Sequence, residues 1–289
     1  MGDPESWRRE YLSTPGQLPP EIDTTVPSVA RIYDYALGGK NNFQVDRDTV
    51  AALSAAFPGS VPLAVDNRAF LRRGVRYLVG EAGVKQIIDF GSGLPTAGNV
   101  HEIAHEIDPS VRVVYVDIDP IVLAHARALL ADNDTTTVIQ ADAGEPESIL
   151  EHPETRRFID FDQPYAVLLS AILHHLPDER DPVGVARYIK NRMPPGSYLL
   201  VTNFLDDDDP RAKMMEEQMT SRVGTGRFRT WAEQREFFDG LEMVEPGLVY
   251  ANDWRPDGDT DVNGAWTTFT AGGIGRKPLL TADSNSSSR

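Results

Sequence analysis

Three acids and a pair of histidines occupy positions from which a chain can do chemistry. Asp89 stands just before Gly91-Ser92-Gly93, Asp117 closes the apolar run 112–116, Asp142 closes 137–141, and His174-His175 follow 165–170. Each of these short apolar runs reads as a buried strand, so each polar group stands at a strand's exposed tip. Gly91 and Gly93 carry no Cβ, which lets the backbone bend tightly and a flat ligand lie against it. A strand, a glycine turn and a helix near the middle of a sheet form a nucleotide-type binding site.

The residues flanking the turn select among nucleotides. A dinucleotide fingerprint requires a third glycine three residues after the second; here that position is Thr96, preceded by Pro95. Proline removes an N–H that a pyrophosphate would use at the helix start. Asp89, two residues before the first glycine, would repel an anion. These features argue against a nicotinamide-dependent oxidoreductase and favour a nucleoside without phosphates. S-adenosylmethionine is such a ligand, and its sulfonium and ammonium groups are positive.

A second motif competes for attention. His101-Glu102-Ile103-Ala104-His105 matches the H-E-x-x-H pattern of zinc proteases. The core stripe of this helix, expected over 96–107, is Val100, Ile103, Ala104 and Ile107. At about 100° per residue both histidines point away from that stripe, toward a flank or solvent. No later histidine-rich motif supplies a third ligand, so the match reads as accidental and no metal is expected.

The elements that position these groups follow from periodicity. Residues 1–26 are rich in proline and polar groups and read as a mobile arm. Residues 27–83 read as a helical extension. Ser28 can cap its first helix, Gly38-Gly39 stops it, and Gly-Gly-Lys-Asn-Asn gathers donors where the backbone bends most freely. Two further helices, 46–56 and 66–79, precede the first strand. Asp119 can cap the helix after the second strand, with Pro120 at its first position. That leaves Asp117, 28 residues beyond Asp89, free for another role; a ribose-binding acid is expected about 20 residues on. Later elements are a strand at 198–202, helices from 210 to 222 and 228 to 238, closing strands at 248–250 and 266–271, and a disordered tail over 279–289. Apolar strands alternating with helices specify a parallel sheet covered on both faces. The acidic run Asp206–Asp209 reads as a solvated helix lead-in near the cleft.

Composition limits the rest. The 289 residues are 40% hydrophobic and 25% charged, ordinary for a globular chain. No run approaches the roughly 18–20 apolar residues that span a membrane, and the polar N-terminus is no secretory signal. The absence of cysteine rules out disulfides, thiolate metal sites and cysteine nucleophiles, and fits a cytoplasmic location. A net charge of −16 disfavours nucleic acid as a partner.

Asp89-Phe90-Gly91-Ser92-Gly93, Asp117, Asp142-Ala143 and His174-His175 together resemble the class I S-adenosylmethionine-dependent methyltransferases. Arg31-Ile32-Tyr33-Asp34-Tyr35, 38–43, Asn67-Arg68, 91–96 and Tyr115-Val116-Asp117 narrow the resemblance to an actinobacterial family of S-adenosyl methyltransferases, long known as a domain of unknown function. The match runs from about Val26 to Pro278. It implies a Rossmann-like α/β fold with a mostly parallel seven-stranded sheet, helices on both faces, and a methyltransferase domain over 84–278. It implies S-adenosylmethionine as cofactor and a small-molecule methyl acceptor. The resemblance puts the methionine and ribose on Gly91, Ser92 and Gly93, with Asp89 at the loop or the ammonium group. Asp117, beside Ile118, would take the ribose hydroxyls, and Asp142 the adenine amino group with Ala143 facing the ring. Ser170 and Ala171 would line the methionine end. Tyr33, Lys40, Asn41 and Arg68 would close over the ligand, and His174 or His175 would act as general base. The alternative is a protein that binds the same ligand without turning it over.

Overall fold

The computed structural model describes residues 22–95, 98–129 and 134–279. Thr96, most of the expected arm and nearly all of the expected tail lie outside the described residues.

Five strands run parallel at the centre: β1 (Gln86–Phe90), β2 (Arg112–Asp117), β3 (Thr136–Gln140), β4 (Ala166–Ser170) and β5 (Tyr198–Phe204). Three antiparallel pieces complete the sheet: β6 (Glu242–Met243), β7 (Val249–Tyr250) and β8 (Thr270–Arg276). The order is β3-β2-β1-β4-β5-β8-β6, with β7 also on β8. The expected seven strands are therefore eight, because the edge beside β8 is split into two two-residue pieces.

The last strand also begins later than its sequence suggests. Residues Thr267–Phe269 form a 3-10 turn, and the strand is the glycine-rich run that follows. Glycine weakens a strand on propensity alone; here close packing demands it. A Cβ on Gly272 would come within 2.7 Å of Phe70, and one on Gly275 within 2.8 Å of Leu241.

Alternation along β1 sends Ile87 to one face and Ile88 to the other. On the first face Ile87, Val113, Leu168 and Leu200 pack against Phe70, Val75 and Leu78 of α3 (Ser60–Gly80) and against Val100 and Ile103 of α4 (Val100–Ile107). The second face buries Ile88, Val114, Val167 and Val201. It packs on α6 (Pro146–Leu150), α7 (Pro153–Phe158), α8 (Pro182–Arg192) and the stretch after α10 (Trp231–Glu236). The α10 helix is shorter than the expected 228–238, because Thr230 and Glu233 form a capping box that starts it late. Asn99 and Glu102 do the same for α4, which begins at Val100 rather than 96. Ile107, expected in that helix's core stripe, is 43% exposed at its last position.

Of the expected extension, α3 is thus a full layer of the sheet. The cover over the strand tips comes from α1 (Val29–Ala36) and α2 (Gln44–Ala56). Apolar contacts hold this cover on two sides. Ile22 and Ala30 pack on Ile121 and Val122 of α5 (Pro120–Leu129). Leu53 and Phe57 pack on Met215 and Met219 of α9 (Pro210–Val223). No single helix among the described residues is long and apolar enough to cross a membrane.

Candidate functional site

The chain builds β1, β2 and β3 outward, then returns to lay β4 on the other side of β1. A sheet opens a crevice at the carboxyl ends of its strands where this direction reverses. A cavity of about 660 Å³ lies there, between the strand tips and the cover. Asp89, Gly91, Ser92, Gly93, Asp117 and Ile118 line it, together with Asp142, Ala143, Ser170 and Ala171. Ten residues far apart in sequence thus reach one cavity because the parallel register brings their strand tips to a common level.

The glycine turn is pinned to the neighbouring strand. Gly91 and Ser92 both donate from N–H to Val116 carbonyl oxygen, at 2.7 and 3.0 Å. Gly91 adopts φ +66°, and a Cβ there would come within 2.0 Å of Ile172. Gly93 also has positive φ, but a Cβ there would meet nothing within 4 Å. A side chain at Gly93 would therefore occupy the open space against which a ligand can lie. Ala171, across the crevice, is held at φ +58° by its N–H bonds to Thr202 oxygens. A non-glycine residue held in that region stores strain, typically at a working site.

Charge in the cavity is concentrated at the acids. Burial pushes the Asp89 carboxyl up to about 7, opposed by the Arg68 guanidinium and reinforced by the Asp117 charge. Burial likewise lifts Asp117 to about 6, although it accepts N–H bonds from Asp119 at 2.9 Å and Gly93 at 2.8 Å. A carboxylate offers about four lone-pair positions, so Asp117 keeps acceptor capacity for a ligand beyond these backbone bonds. Asp142 accepts from Gly144 N–H at 2.8 Å and pairs with Arg180 at 3.1 Å. Arg180 also lines the cavity and was not anticipated from the sequence.

The cover contributes Tyr33 and α3 contributes Arg68 to the wall, but Lys40 and Asn41 do not line it. Buried Asp34 explains the difference: its carboxylate accepts the N–H of Asn41 at 2.9 Å and the amide of Asn42 at 2.8 Å. The Gly39 and Asn41 N–H groups and the Asn42 amide are therefore held within the turn itself, and Lys40 faces solvent. Ser28 does not cap α1; its hydroxyl donates to Asp119 Oδ2 at 2.5 Å, tying the cover to the β2 end. Asn67, half of the Asn67-Arg68 motif, is a buried junction. It donates to Tyr33 hydroxyl at 2.9 Å and accepts from Ser170 at 3.2 Å and Thr202 at 2.5 Å.

The two histidines diverge in environment. His174 is 2% exposed, stacks on Phe204 at 3.9 Å and accepts the Phe204 N–H at Nδ1. Burial holds it well below the usual histidine range, with His175 and Arg229 adding to the effect. His175 is half-buried, with Nδ1 2.7 Å from Thr225 hydroxyl, and burial lowers it to about 4. Both line the cavity. Beyond them the wall becomes apolar, built from Leu53, Leu63, Phe204, Met215, Met219 and Val223. The i, i+4 spacing of Met215 and Met219 was the only sequence signal for this wall, and it reads equally as core.

None of Asp206–Asp209 lines the cavity. Asp209 caps α9 by accepting Arg211 N–H, and Asp207 accepts from Trp231 and Tyr250. The H-E-x-x-H histidines are turned to structural partners rather than to solvent. His101 Nδ1 lies 2.8 Å from Tyr115 hydroxyl, and His105 Nε2 lies 2.9 Å from Val111 carbonyl oxygen. Among the described residues no cluster of three metal-ligating side chains occurs.

The family model described as S-adenosyl methyltransferase matches residues 15–278. A Thermobifida fusca protein of known structure, assigned as a methyltransferase, is 43% identical. That match covers 91% of this chain and 100% of the other, with a TM-score of 0.86. A DUF574-family protein from Streptomyces avermitilis is 40% identical over 89% of this chain and 99% of its own, with a TM-score of 0.84. No curated protein matches. With strand tips, glycine turn and cover all inside the matched span, the chain belongs to the S-adenosyl methyltransferase family, and S-adenosylmethionine is its cofactor.

Proposed function

We propose that the protein transfers a methyl group from S-adenosylmethionine to a small molecule enclosed in the same cavity. The observation that carries this reading is that one cavity is lined both by the strand-tip acids and His175 and by the apolar cluster of Leu53, Leu63, Met215 and Met219. Asp117 accepts from the ribose hydroxyls beside Ile118. Asp142 accepts from the adenine amino group, with the Ala143 N–H facing the ring. Asp89 and Arg68 hold the charged methionine end, with Gly91, Ser92 and Gly93 beneath it. Ser170, Ala171 and Tyr33 close it off.

The bound cofactor supplies a methyl group on positively charged sulfur. The chain's task is to align an acceptor with that carbon, exclude water, and receive a proton. His175 suits the last role: it is neutral at pH 7, and in the tautomer whose Nδ1–H donates to the Thr225 hydroxyl its other ring nitrogen presents the lone pair that receives the proton. His174 is a packing residue in this reading, since its ring is stacked and its Nδ1 occupied. The absence of cysteine fits a cytoplasmic location.

The test is a turnover screen. Protein and S-adenosylmethionine are incubated with panels of phenols, alcohols, amines and carboxylic acids, and S-adenosylhomocysteine release is measured. Acceptor-dependent release that falls at least tenfold in His175→Ala supports the reading. Failure of both S-adenosylmethionine and S-adenosylhomocysteine to bind would overturn it.

A further inference from the structure

From the chemistry of the chamber beyond His175, and resting on the methyl-transfer reading above, we infer that the acceptor is an uncharged, largely apolar molecule presenting a hydroxyl group to His175. Every charged side chain lining the cavity stands on the strand tips and their following loops or on the N-terminal segment, α1 and α3. Leu53, Leu63, Met215 and Met219 pack as one apolar cluster, with Phe204 and Val223 against it, and together they form the chamber. Its polar groups among the described residues, such as Thr225, Asn203 and Thr270, carry no charge. A carboxylate, phosphate or ammonium moved into that chamber would lose its hydration without gaining a counter-charge. The two methionines adapt their shape, so the chamber accepts flat or irregular apolar bodies. A hydrophobic pocket with one fixed polar handle is the usual way to orient a small molecule.

The same absence of charge favours oxygen over nitrogen. In transfer to a hydroxyl, an O–C bond forms as the donor's S–C bond breaks, and the sulfur keeps that electron pair and becomes neutral. The hydroxyl proton passes to His175 and on to water, leaving an uncharged ether in the chamber. Methylating an amine would first leave an ammonium ion among Phe204, Met215 and Met219, where none of the described residues lining the chamber is an acid.

The test measures binding, separately from turnover. By calorimetry, 2-naphthol, 2-naphthoate and 2-naphthylethylammonium are titrated into the protein with and without S-adenosylhomocysteine. The expected result is that naphthol binds at least tenfold more tightly than either charged probe. Met219→Glu should weaken naphthol at least tenfold while S-adenosylhomocysteine affinity stays within about twofold. Because Met219 is buried, Val223→Trp provides a second variant at a half-buried position; it fills the chamber and should give the same pattern. Equal binding of a charged probe, or naphthol binding untouched by both variants, overturns the inference. Expected naphthol behaviour without any S-adenosylhomocysteine binding would keep the chamber and overturn the donor reading instead.

Discussion

Binding of S-adenosylmethionine at the proposed site should expel protons, because two buried carboxyls lining that cavity are partly protonated near neutral pH. Burial raises Asp89 to about 7 and Asp117 to about 6. A cationic ligand and ribose hydroxyls both favour the ionised forms, so binding requires both groups to ionise. At pH 6 Asp89 is ionised in roughly one molecule in eleven and at pH 7 in half, a roughly fivefold gain. Asp117 adds roughly a twofold gain over the same interval. Affinity should therefore rise about tenfold from pH 6 to pH 7, or about 1.4 kcal/mol. This window lies below the titration of an ordinary α-amino group, near about 8, so the ligand's own charge is nearly constant. The sign is opposite for the cofactor-free protein. Both acids hold their protons more tightly folded than unfolded, so its stability should fall as pH rises from about 4 through 7. Calorimetric titrations at pH 6.5 in buffers of different ionisation enthalpy should report about one proton released. Asp89→Asn should remove most of that release. An affinity independent of pH, or net proton uptake, would refute the coupling between the acids and the ligand.

Other perturbations read out the scaffold. Gly91→Ala places a Cβ against Ile172 on a backbone with φ +66°. It should cost about 2 kcal/mol or more and lower the melting temperature by roughly 5 °C; an unchanged melting curve would contradict the packing described. Asp46 is fully buried and accepts from Arg31 at 2.9 Å and from the backbone N–H groups of Ser28 and Phe43. Asp46→Ala leaves Arg31 unpaired at a cost of about 3–5 kcal/mol. Hydrogen exchange should show α1 losing protection before the sheet does, and uniform loss would show that the cover does not open separately. His174→Ala should mainly destabilise the protein and His175→Ala mainly slow turnover. Circular dichroism melts beside S-adenosylhomocysteine release separate the two, and the reverse pattern would reassign the base.

Legibility in the sequence followed the range of the forces involved. Strand tips were readable because a buried parallel strand is a short apolar run, and the polar residue ending it declares its position. Asp89, Asp117, Asp142 and Ser170 were placed this way, and all line the cavity. Local donors misled where a buried acceptor lay nearby: Lys40 and Asn41 looked available, but Asp34 organises their turn. Strand β8 was obscured because propensity disfavours glycine, whereas packing against Phe70 and Leu241 requires it. The apolar chamber was invisible for a different reason. Leu53 and Met219 meet across 166 residues of sequence, and nothing in either helix specifies the other.

The most direct measurement is calorimetric titration of S-adenosylmethionine into the wild-type protein and Asp117→Ala. Asp117 lines the cavity and reaches the glycine turn through Gly93, so it reports on the whole strand-tip site. The account expects saturable one-to-one binding to the wild type, weakened at least about a hundredfold, or about 2.7 kcal/mol, in the variant. Undiminished affinity in a folded Asp117→Ala protein would place the cofactor elsewhere and contradict the site described.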